Sequence, residues 1–193
     1  MKTLDVGCGP IKETGAFGID HESFAGVDLV HDLDSRPWPI ADSSFDRAHA
    51  SHIIEHVDDL IGFFRELHRV CAPGADVRVV TPHFTNRCAY LDPTHRRYLS
   101  VRFVDFIADV PPWFPANRFA VARNYLGEHH HSYRPMLSGM FELREIRLTF
   151  ARIFRWLGVE WLANRKPDFY EFFLAYIAPA RDIVATLRVV KEE

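Results

Sequence analysis

The sequence has few cysteines, no long apolar run and no dense basic cluster, and each absence excludes a class of protein. Three cysteines in 193 residues are too few and too scattered for a disulfide framework or a zinc knuckle. The apolar stretch at 172–180 is far shorter than the ~20 residues of a membrane-spanning helix. No signal-peptide pattern precedes the first strand-like segment. We therefore expect a cytoplasmic protein without a membrane span.

Charge is unevenly distributed, although the net charge is only −3. Residues 1–60 carry 12 acidic side chains against 4 lysines or arginines, so the rest of the chain has a positive excess. A basic second half favours an anionic substrate, but an ordinary solvated surface is the simpler explanation. No basic cluster predicts nucleic-acid binding. The length and a hydrophobic share of 48% indicate one globular domain.

Strand-like and helix-like segments alternate as in an α/β domain with a parallel sheet. A helical apolar stripe begins after Asp58, which we predict to be the N-cap. Only about eight residues separate the first two strands, so the first helix is very short or replaced by a loop. The predicted strands are residues 3–7, 15–20, 27–33, 45–51, 76–82, 141–150 and 180–191.

The second half of the chain is less regular. We expect a helix within 98–109, and Asp168 with Glu171 resembles a capping box. The three adjacent histidines, His129–His131, indicate a solvated or substrate-lining loop more readily than a metal site, and no metal is predicted. An apolar stripe after the capping box is expected in the core. Its members are Phe169, Phe172, Phe173, Tyr176 and Ile177.

The opening segment "LDVGCGP" runs from a strand into a Gly-x-Gly turn. Gly7 and Gly9 permit a close backbone approach to a ligand. A dinucleotide site needs a third glycine, where this chain has Lys12, and an acid later than Asp20. The turn therefore favours a ligand related to NAD but different from it.

Four segments in the same order resemble class I S-adenosylmethionine-dependent methyltransferases. They are "LDVGCGP", "FGID", "HDLDSRPWPIADSSFDRAHASHIIEHV" and "LHRVCAPGADVRVVTPHF", all within the first 84 residues. The "DPTH" segment and the C-terminal "YEFFLAYIAPARDIVATLRV" are similar to a compact type 11-like subgroup with a shortened first helix. The resemblance implies a Rossmann-like, mostly parallel seven-stranded sheet with flanking helices and an antiparallel last strand.

The resemblance also implies which residues bind S-adenosylmethionine. The turn at Gly7 and Gly9 would face the methionine part, and Asp5 would hold its ammonium group or the turn itself. Asp20 would accept hydrogen bonds from the ribose hydroxyls. The remaining implied contacts are Asp32 and the Leu33 N–H at the adenine, with Asp34 as a competitor, and Ser51 in the methionine pocket.

Methyl transfer to oxygen or nitrogen benefits from a general base near neutral pH, and histidine is the usual one. The candidates are His83, after the fifth strand, and His95, which Asp92 could orient. The alternative for Asp92 is a turn in which it caps Pro93 and Thr94. His52 and His56 are more often structural at such positions.

The expected function is methyl transfer to oxygen or nitrogen of a small-molecule or glycan-linked acceptor. We expect a single domain in which residues 1–82 bind the cofactor, 83–140 form the acceptor or lid region, and 141–193 complete the sheet. A homodimer is left open. The alternatives are a non-catalytic cofactor-binding module and a metal-dependent hydrolase built from His83, Asp92, His95 and the histidine triplet.

Overall fold

The computed structural model describes residues 1–111 and 136–191, which form one seven-stranded sheet with flanking helices. The order across the sheet is β3-β2-β1-β4-β5-β7-β6, and β7 runs antiparallel to the six other strands. The predicted α/β fold is confirmed. The strands are β1 (Thr3–Val6), β2 (Phe17–Asp20), β3 (Leu29–Val30), β4 (Phe45–Ser51), β5 (Cys71–Pro82), β6 (Phe141–Phe150) and β7 (Ala180–Val189).

The helices are short except for the one between β4 and β5. The helix predicted within 98–109 is present as a 3₁₀ turn followed by one short α-helix. None of the described helices is long and apolar enough to cross a membrane. They are α1 (Leu60–Val70), α2 (Arg87–Leu91), a 3₁₀ turn (Val101–Phe103), α3 (Val104–Ile107), α4 (Arg152–Trp156), α5 (Val159–Arg165) and α6 (Pro167–Phe173).

A loop replaces the first crossover helix, as the short spacing between β1 and β2 predicted. Residues 7–16 contain no helix, yet β1 and β2 still pair in parallel, from Leu4 opposite Phe17 to Val6 opposite Ile19. Leu4, Val6 and Ile19 are fully buried. The apolar strand faces therefore position this half of the sheet, and the glycine turn lies at its carboxyl edge.

Helix α1 packs on the sheet through the apolar stripe that the sequence shows. Phe63, Phe64 and Leu67 are fully buried. Its N-cap is Asp59, whose side chain accepts a hydrogen bond from Gly62 N at 2.9 Å. The prediction of Asp58 was wrong by one residue, because consecutive acids leave the capping position ambiguous.

Two strands differ from their predicted bounds by five residues, whereas β1, β2 and β7 differ by one or two. β3 pairs over only two residues of the predicted seven. β5 begins at Cys71 rather than residue 76, because a register irregularity opposite β4 accommodates the "APGA" segment. Gly74 lies there with a φ of 77°, which a glycine adopts without strain. A turn signal can thus be absorbed within a strand as a bulge.

The helices between β6 and β7 correct two further predictions. Asp168 and Glu171 do not form a capping box, because Lys166 is the N-cap of α6 and makes no side-chain cap hydrogen bond. Most of the apolar stripe is solvent-exposed rather than core: Tyr176 is 83% exposed and Ile177 76%. The buried aromatic of α6 is instead Tyr170, whose hydroxyl donates to Ala178 O at 2.9 Å.

Candidate functional site

The Gly-x-Gly turn is held tightly against its neighbours. Gly7 N and Cys8 N both donate to Ile19 O, at 2.9 and 3.3 Å. Gly7 has a φ of 66°, and a Cβ there would lie 2.6 Å from the side chain of Ile53. Gly9 also has a positive φ, but apart from its chain neighbours no atom of the described residues lies within 4 Å of a Cβ placed on it. Gly7 is therefore required for packing, whereas Gly9 leaves open space beside the turn.

Two buried carboxylates fix the loop that carries this turn. Asp20 accepts from Gly9 N at 2.8 Å and from Glu22 N at 3.0 Å. Asp5 accepts from Glu13 N at 2.8 Å. Burial is the main cause that raises the pKa of Asp5 above its ordinary value. Each carboxylate oxygen can accept more than one hydrogen bond, so both residues can order the loop and still contact a ligand.

The acids after β3 separate into two roles. Asp34 accepts from Asp58 N and Asp59 N, at 2.8 and 3.1 Å, and so joins this loop to the start of α1. Asp32 is exposed and accepts from Asp34 N and Ser35 Oγ, both at 3.0 Å. These hydrogen bonds, the one from Asp34 N foremost, lower the pKa of Asp32. Asp32 thus remains accessible for an adenine contact, next to the buried Leu33, whereas Asp34 is committed to the loop.

A cavity of about 660 Å³ lies beyond the ends of β4 and β5. Its walls include His52, Glu55, His56 and His95, together with Arg181 and Asp182 at the start of β7. Because β4 and β5 are parallel to β1, this cavity opens at the same sheet edge as the glycine turn. A second cavity of about 640 Å³, beside β6, is separated from β4 by β7 and β5. The first cavity is therefore the candidate acceptor site.

The residues directly after β4 approach this cavity with an unusual backbone. Ser51 ends the strand and is half-buried. His52 follows with a φ of 54°, a left-handed conformation that is uncommon for a side chain other than glycine. Its Nδ1 lies 3.4 Å from Oε1 of the buried Glu55. This contact with Glu55 raises the pKa of His52.

His83 is fully buried, and both of its ring nitrogens have partners. Nδ1 lies 2.7 Å from Thr85 Oγ1, and Nε2 lies 3.0 Å from Glu171 Oε1. Glu171 also accepts from Ser100 Oγ and Val101 N, each at 2.7 Å. A catalytic role for His83 stays a prediction that this geometry disfavours, because a base must reach the acceptor. The network instead joins β5 to helix α6.

In the described residues, the carboxylate of Asp92 hydrogen-bonds to Thr94 rather than to the ring of His95. This carboxylate accepts from Thr94 N at 2.8 Å and from Thr94 Oγ1 at 2.7 Å, as in the capped turn considered from the sequence. These hydrogen bonds lower the pKa of Asp92. His95 instead has its Nδ1 2.7 Å from Ala89 O, and its ring lies 4.6 Å, centroid to centroid, from that of His56.

Sequence reasoning missed the contribution of Glu55 and undervalued His56. The available signal was the "HIIEH" segment, where an acid and two histidines directly follow a strand that ends at the ligand-binding edge. The triplet His129–His131, with Tyr133 and Arg134, lies outside the described residues.

The comparisons with known proteins agree with this geometry. Residues 29–79 match the family model of a methyltransferase domain. Cycloartenol-C-24-methyltransferase 1 of Oryza sativa subsp. japonica is 29% identical over 120 residues, which cover 50% of this chain and 35% of the rice protein. The chain therefore spans about a third of that relative's length.

Solved structures show the same fold at low sequence identity. A SAM-dependent methyltransferase from Aquifex aeolicus has a TM-score of 0.51 and 12% identity, covering 98% of this chain and 82% of its own. The [4+2]-cyclase SpnF has a TM-score of 0.52 and 16% identity, with coverages of 99% and 75%.

Sheet order, glycine turn and strand-end acids together define a class I methyltransferase fold. With the family match over residues 29–79, these features resemble those of S-adenosylmethionine-dependent methyltransferases. The residues present fit this cofactor, because it has no phosphate to require a third glycine, a Cβ on Gly9 would meet open space, and two carboxylates, Asp5 and Asp20, hold the same loop. Asp5 suits its ammonium group and Asp20 its ribose hydroxyls.

Proposed function

We propose that the protein transfers the methyl group of S-adenosylmethionine to an oxygen or nitrogen atom of a small-molecule or glycan-linked acceptor. The cofactor supplies a methyl carbon already activated by a positively charged sulfur. The chain contributes binding, alignment and exclusion of water, which account for much of the catalysis of such a displacement. We further propose that the chain acts as a single domain with the predicted cofactor-binding half at 1–82.

One observation carries this proposal: the cofactor turn and the acceptor cavity share one sheet edge. The turn at Gly7 follows β1, and the cavity lies at the carboxyl ends of β4 and β5. In the sheet, β4 is the direct neighbour of β1, and β5 is the next strand after it. Ser51 ends β4 between them. This placement supports an acceptor atom next to the methionine end, with His52 as a half-exposed basic side chain at the boundary.

Isothermal titration with S-adenosylmethionine and with its demethylated product tests the cofactor half. Asp20→Ala removes ribose hydrogen bonds to a charged group, which contribute about 1.5–3 kcal/mol each without full additivity. A loss near 2–3 kcal/mol weakens binding by about 30- to 150-fold. Asp20→Asn should lose less, because its amide oxygen still accepts.

The matched control is Asp76→Ala. Asp76 is exposed at the amino end of the parallel run of β5, on the opposite sheet edge from the turn. The Asp76→Ala variant should bind the cofactor with the affinity of the wild-type protein. No binding to the wild-type protein at millimolar cofactor contradicts the proposal. If the folded Asp20→Ala variant binds the cofactor with wild-type affinity, the assignment of Asp20 to the ribose hydroxyls is wrong.

A second candidate function is a cofactor-binding module without methyl transfer. The [4+2]-cyclase among the structural neighbours shows that this fold is found under a name other than methyltransferase. Product analysis with radiolabelled methyl donor across hydroxyl, amine and sugar acceptors separates the two. Tight cofactor binding without any labelled product supports the second candidate.

A further inference from the structure

Three side chains in the wall of the acceptor cavity lie close together, and the proposed methyl transfer gives none of them a role. Glu55, His56 and His95 each offer one ligand atom, and these atoms all lie within 4.8 Å of one another. Glu55 is only 1% exposed, and among the described residues its Oε1 has no hydrogen-bond partner, although His52 Nδ1 lies 3.4 Å from it. The other oxygen, Oε2, accepts from Thr81 Oγ1 at 2.9 Å. A buried carboxylate oxygen without a partner is costly unless a ligand satisfies it.

Hydrogen bonds fix the tautomer of His95. Its Nδ1 lies 2.7 Å from Ala89 O, and a carbonyl oxygen can only accept. Nδ1 must therefore carry the proton, which leaves the lone pair on Nε2. A backbone carbonyl that accepts from the remote ring nitrogen is the usual support of a metal-binding histidine.

The same reasoning applies to His56 through Thr94. Thr94 Oγ1 donates its only proton to Asp92 Oδ1 at 2.7 Å, so it accepts from His56 Nδ1 at 2.9 Å. His56 is then protonated on Nδ1 and has a free lone pair on Nε2. Asp92 thereby supports His56 through the hydroxyl.

We propose that Glu55, His56 and His95 bind one divalent transition-metal ion. Two neutral imidazoles and one carboxylate are donors that suit zinc, iron or cobalt, whereas magnesium and calcium prefer all-oxygen sites. Ligand atoms that each lie about 2.0–2.2 Å from one ion are closer to one another than 4.8 Å, the limit within which these three atoms lie in the structure. We therefore expect the three side chains to move slightly towards each other when the ion binds. An ion at Glu55 Oε1 would displace the contact with His52, whose Nδ1 lies 3.4 Å from that oxygen. On the proposed function, the ion would hold an acceptor oxygen near the methyl donor.

The test is metal binding to the untagged protein after chelator treatment. Zn²⁺ is titrated calorimetrically, and Co²⁺ is followed by its visible absorption bands, with Mg²⁺ as a competitor. We expect about one ion per chain, retained in excess Mg²⁺. Glu55→Gln and His95→Asn should each weaken binding by at least ~100-fold, whereas His31→Asn, which is remote from the cavity, should not.

Substitutions at Thr94 separate a specific effect on metal affinity from a general effect on folding. Thr94→Val removes the hydroxyl that accepts from His56 and should weaken binding by about 10- to 100-fold, and Thr94→Ser should restore it. Binding that survives all these changes, or that disappears only when His129–His131 are replaced, overturns the proposal. Cofactor affinity measured on the same samples shows separately whether the proposed function fails.

Discussion

The two sides of the site are held together by contacts of different range. On the cofactor side, the hydrogen bonds are local: Gly9 N to Asp20 spans 11 residues and Glu13 N to Asp5 spans 8. On the acceptor side, His83 and Glu171 are 88 residues apart. Local contacts with backbone N–H groups produce sequence motifs, whereas distant side-chain pairs do not. This difference explains why the motifs of the cofactor side resemble the family more specifically than those of the acceptor side.

The largest effect expected from the loss of hydrogen bonds concerns Glu171. Glu171→Ala leaves the buried His83 and the N–H of Val101 without their partner, which should cost about 3 kcal/mol. The melting temperature should fall by roughly 6–12 °C, at about 2–4 °C per kcal/mol for a chain of this size. The exposed Glu145→Ala should change stability by less than about 0.5 kcal/mol. Equal melting temperatures for both variants would show that the distant network does not hold the acceptor side.

The next effect separates the two acids after β3. Asp34→Ala removes the acceptor for Asp58 N and Asp59 N and should destabilise the protein by about 1–2 kcal/mol in urea unfolding. Cofactor affinity of the folded variant should remain close to wild type. Asp32→Ala should show the opposite pattern, with weaker cofactor binding and a smaller stability loss. If Asp34→Ala weakens cofactor binding and Asp32→Ala mainly lowers stability, the roles assigned to the two acids must be exchanged.

A smaller effect concerns the buried charge of Asp5. Its pKa is raised in the folded state, so folding favours the protonated form, and the ionised carboxylate opposes folding at neutral pH. Asp5→Asn should therefore raise stability at pH 7, and this gain should disappear as the pH falls through the raised pKa towards the ordinary 3.8. Cofactor binding should weaken by about tenfold or more, because the ammonium group loses a charged acceptor. Denaturant unfolding at pH 3.8–7, with Asp76→Asn as control, measures the difference.

The smallest effect is expected at the exposed end of the C-terminal stripe. Tyr176→Ser and Ile177→Ser should each change the free energy of unfolding by less than about 0.5 kcal/mol, because both side chains are already exposed. Tyr170→Ala, which empties a fully buried position, should cost about 3–5 kcal/mol. A large loss of stability in Tyr176→Ser would show that this stripe belongs to the core after all.

Fold and cofactor turn could be predicted because their signals are short-range. The strand 45–51 was predicted with the bounds that the structure shows, since alternating burial is written directly into its residues. The loop between β1 and β2 followed from the length of the connection alone. The roles of Asp32 and Asp34 could not be separated, because two acids of the same type lie two residues apart and differ only in what they face.

The sequence by itself determined the α/β sheet, the replaced first helix and the glycine turn, because periodicity, spacing and backbone freedom are local properties of the chain. Only the tertiary structure decided that His83 is enclosed by Glu171, and that Glu55, His56 and His95 converge on one cavity wall. It also decided that the stripe at 172–177 faces solvent. Those outcomes depend on which distant segments meet across the sheet edge, and no single-segment pattern encodes that meeting.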